Sequence, residues 1–224
     1  MLPRLYPILD IDLCREGRLE PLAVLDAFLA GGARFLQLRD KTPSSAERLQ
    51  CAGDVVARAH AAGARLIVND RTDIARLSGA DGVHLGQDDL PVEEARRILG
   101  PDAIIGLSTH DEAQIEAAAR TTASYIAVGP IYGTATKDTG YTARGLDLVR
   151  KAALTLRPGS LQHSSGQAGQ AGQARRPVVA IGGITLDRVD EALEAGASSV
   201  AVISDLLTGG DPEARVRAFL ERRV

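Results

Sequence analysis

Leu66-Ile67-Val68-Asn69-Asp70-Arg71, then a short helical pattern over 72–77, then Gly82-Val83-His84-Leu85-Gly86-Gln87-Asp88-Asp89, is the stretch on which the fold turns. Two short apolar runs each end in a polar cluster. Nearly continuous runs with β-branched residues suit strands buried on both faces, as in a parallel sheet. If both runs are parallel strands, Asp70 and Asp89 stand at the same end of neighbouring strands.

The same unit repeats in both directions. Further apolar runs lie at 5–9, 35–38, 104–107, 125–128, 178–181 and 200–203. Polar clusters follow most of them: Gln37-Leu38-Arg39-Asp40-Lys41, Ser108-Thr109-His110, Thr134-Ala135-Thr136-Lys137, Gly182-Gly183 and Ile203-Ser204. Helical patterns occupy 22–30, 44–62, 93–99, 112–120, 146–156, 186–195 and 212–223. Pro91 ahead of the third and Gly100 after it use the proline-in, glycine-out asymmetry of helices. Eight strands alternating with helices in one chain predict an α/β fold, a single-domain (β/α)8 TIM barrel over 1–224. A doubly wound open sheet is the alternative, but it leaves polar clusters after so many strands unexplained. Pro7 fits poorly, because it has no ladder donor, so the first strand is expected to begin late or to carry an irregularity. Residues 157–176 are rich in Gln, Gly and Ser, with little to bury, and read as a flexible insertion opposite the active rim.

Bulk properties narrow the function. A chain of 224 residues with 45% hydrophobic and 25% charged residues reads as a soluble globular domain with a full core. A net charge of −3 gives no support to nucleic acid or an anionic membrane as main partner, so an anionic ligand needs local positive charge. No signal peptide is recognised at the start, and no apolar stretch approaches the ~20 residues of a membrane span. Cys14 and Cys51 have no metal-type spacing and suggest a reducing compartment, the cytoplasm. Trp is absent, which disfavours a base-stacking platform.

A parallel barrel builds its active site on the rim at the strands' C-terminal ends, so the polar clusters there point to an enzyme. The last two loops of such barrels often bind phosphate through backbone N–H groups, which suits Gly182-Gly183, a helix opening near Thr185, and Ser204. Glycines commonly just turn a chain, so Gly182-Gly183 alone would be weak. Arg39 and Lys41 follow the second strand with Gln37 on the same side, and Lys137 stands between hydroxyls at the rim. Taken by themselves, Arg39 and Lys41 could be solvated surface charges beside Asp40. Asp70 and Asp89 would repel a phosphate by roughly 4 kcal/mol per unit-charge pair at ~4 Å and an effective dielectric near 20. Mg²⁺ between them reverses the sign, being held by one or two carboxylates plus phosphate oxygens. Caps or turns are the bland alternative for both aspartates, and Asp88 should point elsewhere. His84 reads as a satisfied interior residue, His60 and His163 as surface residues, and His110 as a rim group able to donate a proton or hydrogen bond. Zinc clusters, a hydrolase elbow and a Walker loop are not recognised.

Taken together and in order, Gln37–Lys41, Asn69-Asp70-Arg71, Gly82 to Asp89, Gly106 to His110, Gly129 to Lys137 and Gly182-Gly183-Ile184 resemble the thiamine phosphate synthase family over nearly the whole chain outside the insertion. The resemblance implies a barrel enzyme joining a hydroxymethylpyrimidine diphosphate to a thiazole phosphate, giving thiamine phosphate and pyrophosphate. It implies that Gln37, Arg39, Lys41, Asn69 and Lys137 hold the diphosphate and that Asp70 and Asp89 bind Mg²⁺. Ser108 would lie against the pyrimidine and leaving group. Thr134, Thr136, Gly183, Ile203 and Ser204 would take the thiazole phosphate. Lys137, Arg39, Lys41 and Ser108 would act in the chemical step, with no protein nucleophile. The loop over 132–142 is expected to close on ligand. A thiazole tautomerase using His110 is the nearest rival, and a silent thiazole-phosphate-binding regulator is the other. The oligomeric state is not given by the sequence; barrels of this kind often pair, which leaves a homodimer as the expectation.

Overall fold

Each apolar run forms a strand whose two sets of side chains both find a core. The computed structural model describes residues 2–42, 44–133, 142–157 and 176–222. The strands are β1 (Leu5–Asp10), β2 (Phe35–Arg39), β3 (Arg65–Asn69), β4 (Gly82–Leu85), β5 (Ile104–Thr109), β6 (Tyr125–Val128), β7 (Val178–Ile181) and β8 (Ser199–Val202). Each pairs in parallel with the next, and β8 returns to β1, closing the barrel. One alternate set fills the interior with Tyr6, Ile8, Phe35, Ile67, Tyr125, Ala127, Val179 and Ala201. The other set, including Leu36, Leu66, Val83, Ile126 and Val200, faces outward into a second core with the helices. Burying a side chain of Leu or Phe size contributes ~1.5–3 kcal/mol, so both cores matter to stability. At Gly82 an added Cβ would stand 1.8 Å from the Ile104 carbonyl, so only glycine lets β4 and β5 approach.

The helices form the outer ring: α1 (Ile11–Glu16), α2 (Pro21–Ala30), α3 (Ser45–Ala61), α4 (Thr72–Ser78), α5 (Val92–Leu99), α6 (Glu112–Ala118), α7 (Gly145–Thr155), α8 (Val189–Glu194) and α9 (Pro212–Glu221). Their starts follow capping chemistry. Ser44 accepts from Glu47 N–H ahead of α3, Asp111 from Gln114 N–H ahead of α6, and Asp211 from Ala214 N–H ahead of α9.

Three expectations are corrected and one element is added. The first strand neither begins late nor breaks at Pro7. The Arg4 carbonyl accepts from Val200 N–H, so residues 4, 6 and 8 face β8 by the two-residue period. Pro7 therefore turns its nitrogen toward β2, whose pairing starts only at Ile8, and no donor is missed. Second, α1 escaped the periodicity because six residues carry too little pattern; Asp10 caps it through Leu13 N–H at 3.1 Å. Third, α8 begins at Val189 rather than 186. The Leu186 N–H is taken by Asp205 Oδ2 at 3.1 Å, and Arg188 N–H closes a turn onto the Thr185 carbonyl. Finally, β8 ends at Val202, so Ile203 leaves the strand and Ser204 opens a tight-turned segment to Gly210. Of the insertion, only Arg157 and Arg176 are among the described residues; Arg176 N–H donates to the Leu156 carbonyl.

Candidate active site

The strands reach further into the polar clusters than hydrophobicity alone indicates, because barrel closure supplies each with neighbours on both edges. Thus Arg39, Asn69 and Thr109 are the last strand residues of β2, β3 and β5. Gln37 and Asn69 fall on the interior side with Phe35 and Ile67. Gln37 is buried, and its Nε2 donates to Tyr6 Oη at 3.0 Å.

Among the described residues, Arg39 and Lys41 at this mouth are already held by carboxylates. Arg39 Nη1 donates to Asp10 Oδ2 at 2.5 Å, with the two side chains only 15% and 3% exposed. Arg39 Nε is buried with no protein partner, which leaves a spare donor beside that pair. Lys41 Nζ meets Asp70 Oδ2 at 2.5 Å. Asp70 has a left-handed backbone, φ +63°, a conformation that Asp tolerates better than most residues; its N–H donates to the His84 carbonyl at 2.8 Å. Asp89 folds back so that Oδ2 accepts from Gly86 N–H at 2.7 Å. Burial pushes the Asp89 carboxyl above the ordinary carboxylate range, the Gly86 N–H opposes this, and the charge and hydrogen bond of Asp70 raise it again, against the pull of Lys41. Asp89 therefore feels the charge of Asp70 across the mouth. Among the described residues no group of three or more His, Cys, Asp or Glu is arranged to hold a metal, so this pair offers two ligands only. Asp88 is exposed.

A cavity of about 300 Å³ opens beside this charged sector, between β5 and β8. Ser108, His110, Gly182, Gly183, Ile203 and Ser204 are among its lining residues. Gly182 and Gly183 have φ of +99° and +64°. A Cβ on Gly183 would meet the Gly133 carbonyl at 2.5 Å and Tyr132 Cβ at 2.8 Å, so glycine is needed for that turn to pack. Tyr132 is pinned there: its hydroxyl donates to Glu191 Oε2 at 2.9 Å, and the Arg188 guanidinium lies 4.7 Å over its ring. Burial and the Glu191 charge push the Tyr132 phenol up to about 12. Asp205, bonded by two Nη2 contacts and one Nε contact to Arg215, anchors the turn after Gly183 through Leu186 N–H. His110 Nδ1 donates to the Gly129 carbonyl at 2.6 Å.

Ser108 joins the two sectors. It lines the cavity, and its Oγ lies 2.9 Å from His84 Nε2 on the neighbouring strand. His84 is an interior residue with its other nitrogen 3.0 Å from Tyr125 Oη, in agreement with the sequence reading. His60 is a surface residue beside Asp81. Gln37, Arg39, Lys41, Asn69, Asp70, Asp89 and Ser108 share the mouth over β2–β5, and Gly183, Ile203 and Ser204 share the cavity over β7 and β8. Thr134, Thr136, Lys137, His163 and most of the loop expected to close lie outside the described residues. Three members escaped the sequence reading. Asp10 ends β1 as the other rim groups end their strands, so the same rule could have found it. Tyr6 and Tyr125 carried no signal, being aromatic residues inside apolar runs.

The model of a protein family described as thiamine monophosphate synthase matches residues 5–206. A thiamine-phosphate synthase of an Arthrobacter species is 40% identical over 223 residues, covering 97% of this chain and 92% of that protein. One from Thermosynechococcus vestitus is 41% identical over 201 residues, covering 90% of this chain, and the chain spans only about half, 52%, of its length. The solved thiamine phosphate pyrophosphorylase from Pyrococcus furiosus superposes with a TM-score of 0.77 at 29% identity, covering 96% of this chain and 93% of that one.

Proposed function

The chain belongs to the thiamine monophosphate synthase family, and on that premise we propose that it is a thiamine-phosphate synthase, a transferase that condenses 4-amino-2-methyl-5-hydroxymethylpyrimidine diphosphate with 4-methyl-5-(2-phosphooxyethyl)thiazole. The observation that carries the reading is the junction of a cation- and carboxylate-lined mouth with a glycine-walled cavity at Ser108. Neither the tautomerase nor the silent binder is favoured by relatives that bear the synthase name.

In this reading Arg39 and Lys41 bind the diphosphate and stabilise the charge that grows on it as the carbon–oxygen bond breaks. Asn69 orients it from the end of β3, and Gln37 from within β2. Lys137 joins them, and Thr134 and Thr136 assist Gly183, Ile203 and Ser204 in holding the thiazole phosphate. Ser108 sits where the two ligands meet and contacts the pyrimidine. The thiazole nitrogen attacks the methylene as the diphosphate departs, so the protein forms no covalent intermediate.

The donor set of Asp70 and Asp89 fits Mg²⁺. The charge of Asp70 adds to the cost of ionising Asp89, and a hard divalent cation with oxygen ligands relieves that repulsion. Asp70 and Asp89 would hold the ion, whose charge would supply electrostatic stabilisation of the leaving group. The substrates as small molecules and a cytoplasmic setting belong to the same proposal. The two free thiols support the second, and no described helix is long and apolar enough to cross a membrane.

Pyrophosphate release measured with each substrate alone, with both, and with both plus EDTA tests the reading. Release that needs both substrates and a divalent cation is expected. Turnover of the thiazole compound alone, or full release in EDTA, would overturn the reaction or the metal assignment respectively.

A further inference from the structure

A file of hydrogen bonds crosses the barrel interior beneath the mouth. Gln37 Nε2 donates to Tyr6 Oη at 3.0 Å, Tyr6 Oη lies 2.9 Å from Tyr125 Oη, Tyr125 Oη lies 3.0 Å from His84 Nδ1, and His84 Nε2 lies 2.9 Å from Ser108 Oγ. These five residues come from β2, β1, β6, β4 and β5. Tyr6 and Tyr125 are fully buried, with 1% and 0% exposure. Room for the file is made by Gly106. A Cβ there would stand 2.1 Å from Tyr125 Cζ, 2.3 Å from its Oη and 2.5 Å from His84 Nδ1. No side chain could occupy that position without breaking the middle of the file.

We propose that this file gives Ser108 its direction: Tyr6, Tyr125 and His84 are positioning residues that hold Ser108 as a hydrogen-bond donor to the ligand. The polarity follows from proton counting. The Gln37 amide nitrogen only donates, so Tyr6 oxygen accepts. The single phenol proton of Tyr6 then goes to Tyr125, and that of Tyr125 goes to His84 Nδ1. An acceptor at Nδ1 makes His84 the neutral tautomer with its proton on Nε2, which donates to Ser108 Oγ. Ser108 receives that bond on a lone pair, and its own hydroxyl proton points into the cavity. Burial raises both phenols above their ordinary range, which keeps both protons in place. A serine that donates suits a ring nitrogen of the pyrimidine or an oxygen of the departing diphosphate, and it cannot at the same time serve as a base. This assignment of the acceptor rests on the synthase reading; the tautomer does not.

Two measurements separate them. In protein labelled with ¹⁵N-histidine and free of substrate, the His84 signals, identified by their loss in His84→Gln, are expected to show Nε2 protonated and Nδ1 bare. Tyr125→Phe removes the proton donated to Nδ1 and should shift both signals toward a tautomer mixture; Tyr6→Phe, one link further away, should do so less. A proton on Nδ1 in the parent protein, or spectra unchanged in Tyr125→Phe, overturns the proposal. In turnover with both substrates, Tyr125→Phe is expected to lower kcat about ten-fold, the scale of one hydrogen bond, with the KM for the thiazole phosphate unchanged. That loss should vanish in a Ser108→Ala background; persistence there means the file acts on something other than Ser108 and sinks the positioning role. A parent protein with the expected tautomer but no pyrophosphate release would refute the synthase reading while upholding the file.

Discussion

Asp10→Asn tests whether the mouth owes its shape to the Asp10–Arg39 pair. Asp10 does two jobs with one carboxylate: Oδ2 accepts from Arg39 Nη1 at 2.5 Å, and Oδ1 accepts from Leu13 N–H at 3.1 Å to start α1. Removing one partner of a buried pair costs ~3–5 kcal/mol, because the other charge is left uncompensated. Asparagine retains an amide oxygen, and a hydrogen bond to a charged group restores ~1.5–3 kcal/mol of that. The net loss for Asp10→Asn is therefore about 2 kcal/mol. Asp10→Ala forfeits the restored bond and also a cap of ~1 kcal/mol, for a total near 5 kcal/mol. With ~2–4 °C of Tm per kcal/mol in a domain of this size, Asp10→Asn should melt roughly 4–8 °C lower. In activity, an Arg39 freed from Asp10 meets the diphosphate less well, so the KM for the pyrimidine diphosphate should rise about ten-fold, equivalent to ~1.4 kcal/mol. The KM for the thiazole phosphate should change less, since Arg39 stands on β2 and is not among the residues of β5 to β8 that line that cavity. Urea titration and steady-state pyrophosphate release measure both. The reasoning fails if Asp10→Asn melts with the parent and binds the diphosphate substrate equally well. It fails differently if both substrates suffer alike, which would make Asp10 a general support of the mouth.

Asp89→Asn should raise the Mg²⁺ concentration needed for half-maximal rate ~10-fold or more while leaving the metal-free Tm unchanged or higher, because a carboxylate facing Asp70 is gone; a large Tm loss would make Asp89 structural. Gly183→Ala forces a side chain into φ +64° and against the Gly133 carbonyl and Tyr132, so a loss of ~1–3 kcal/mol in urea unfolding is expected together with a raised KM for the thiazole phosphate only. Cys51, pushed up to about 11 by burial and then by the Asp40 and Asp54 charges, should be about one part in a thousand thiolate at pH 8. Iodoacetamide should label it slowly there and ~10-fold faster at pH 9, since the thiolate fraction grows ten-fold per pH unit below the pKa; rapid labelling at pH 7 would show that the thiol is not held up.

The alternation of short apolar runs with helical patterns was enough to determine eight parallel strands, and the polar residues after most runs were enough to gather polar groups at one rim. Both are local properties: a strand buried on two faces must be apolar at consecutive positions, and its polar continuation must lie at its end. Gln37, Arg39, Asp70, Asp89, Ser108 and Ser204 were legible for that reason. What only the tertiary structure decided is who meets whom. The Asp10–Arg39 bond joins residues 29 apart in sequence, and the Tyr6–Tyr125 bond joins residues 119 apart. Such contacts depend on the stagger between neighbouring strands and on closure of β8 against β1, neither of which leaves a periodic trace. The displaced start of α8 has the same origin, since the carboxylate that takes the Leu186 N–H comes from Asp205, beyond the next strand. Hydrophobic patterning is written one residue at a time, whereas a hydrogen bond across a barrel needs two distant residues brought into register.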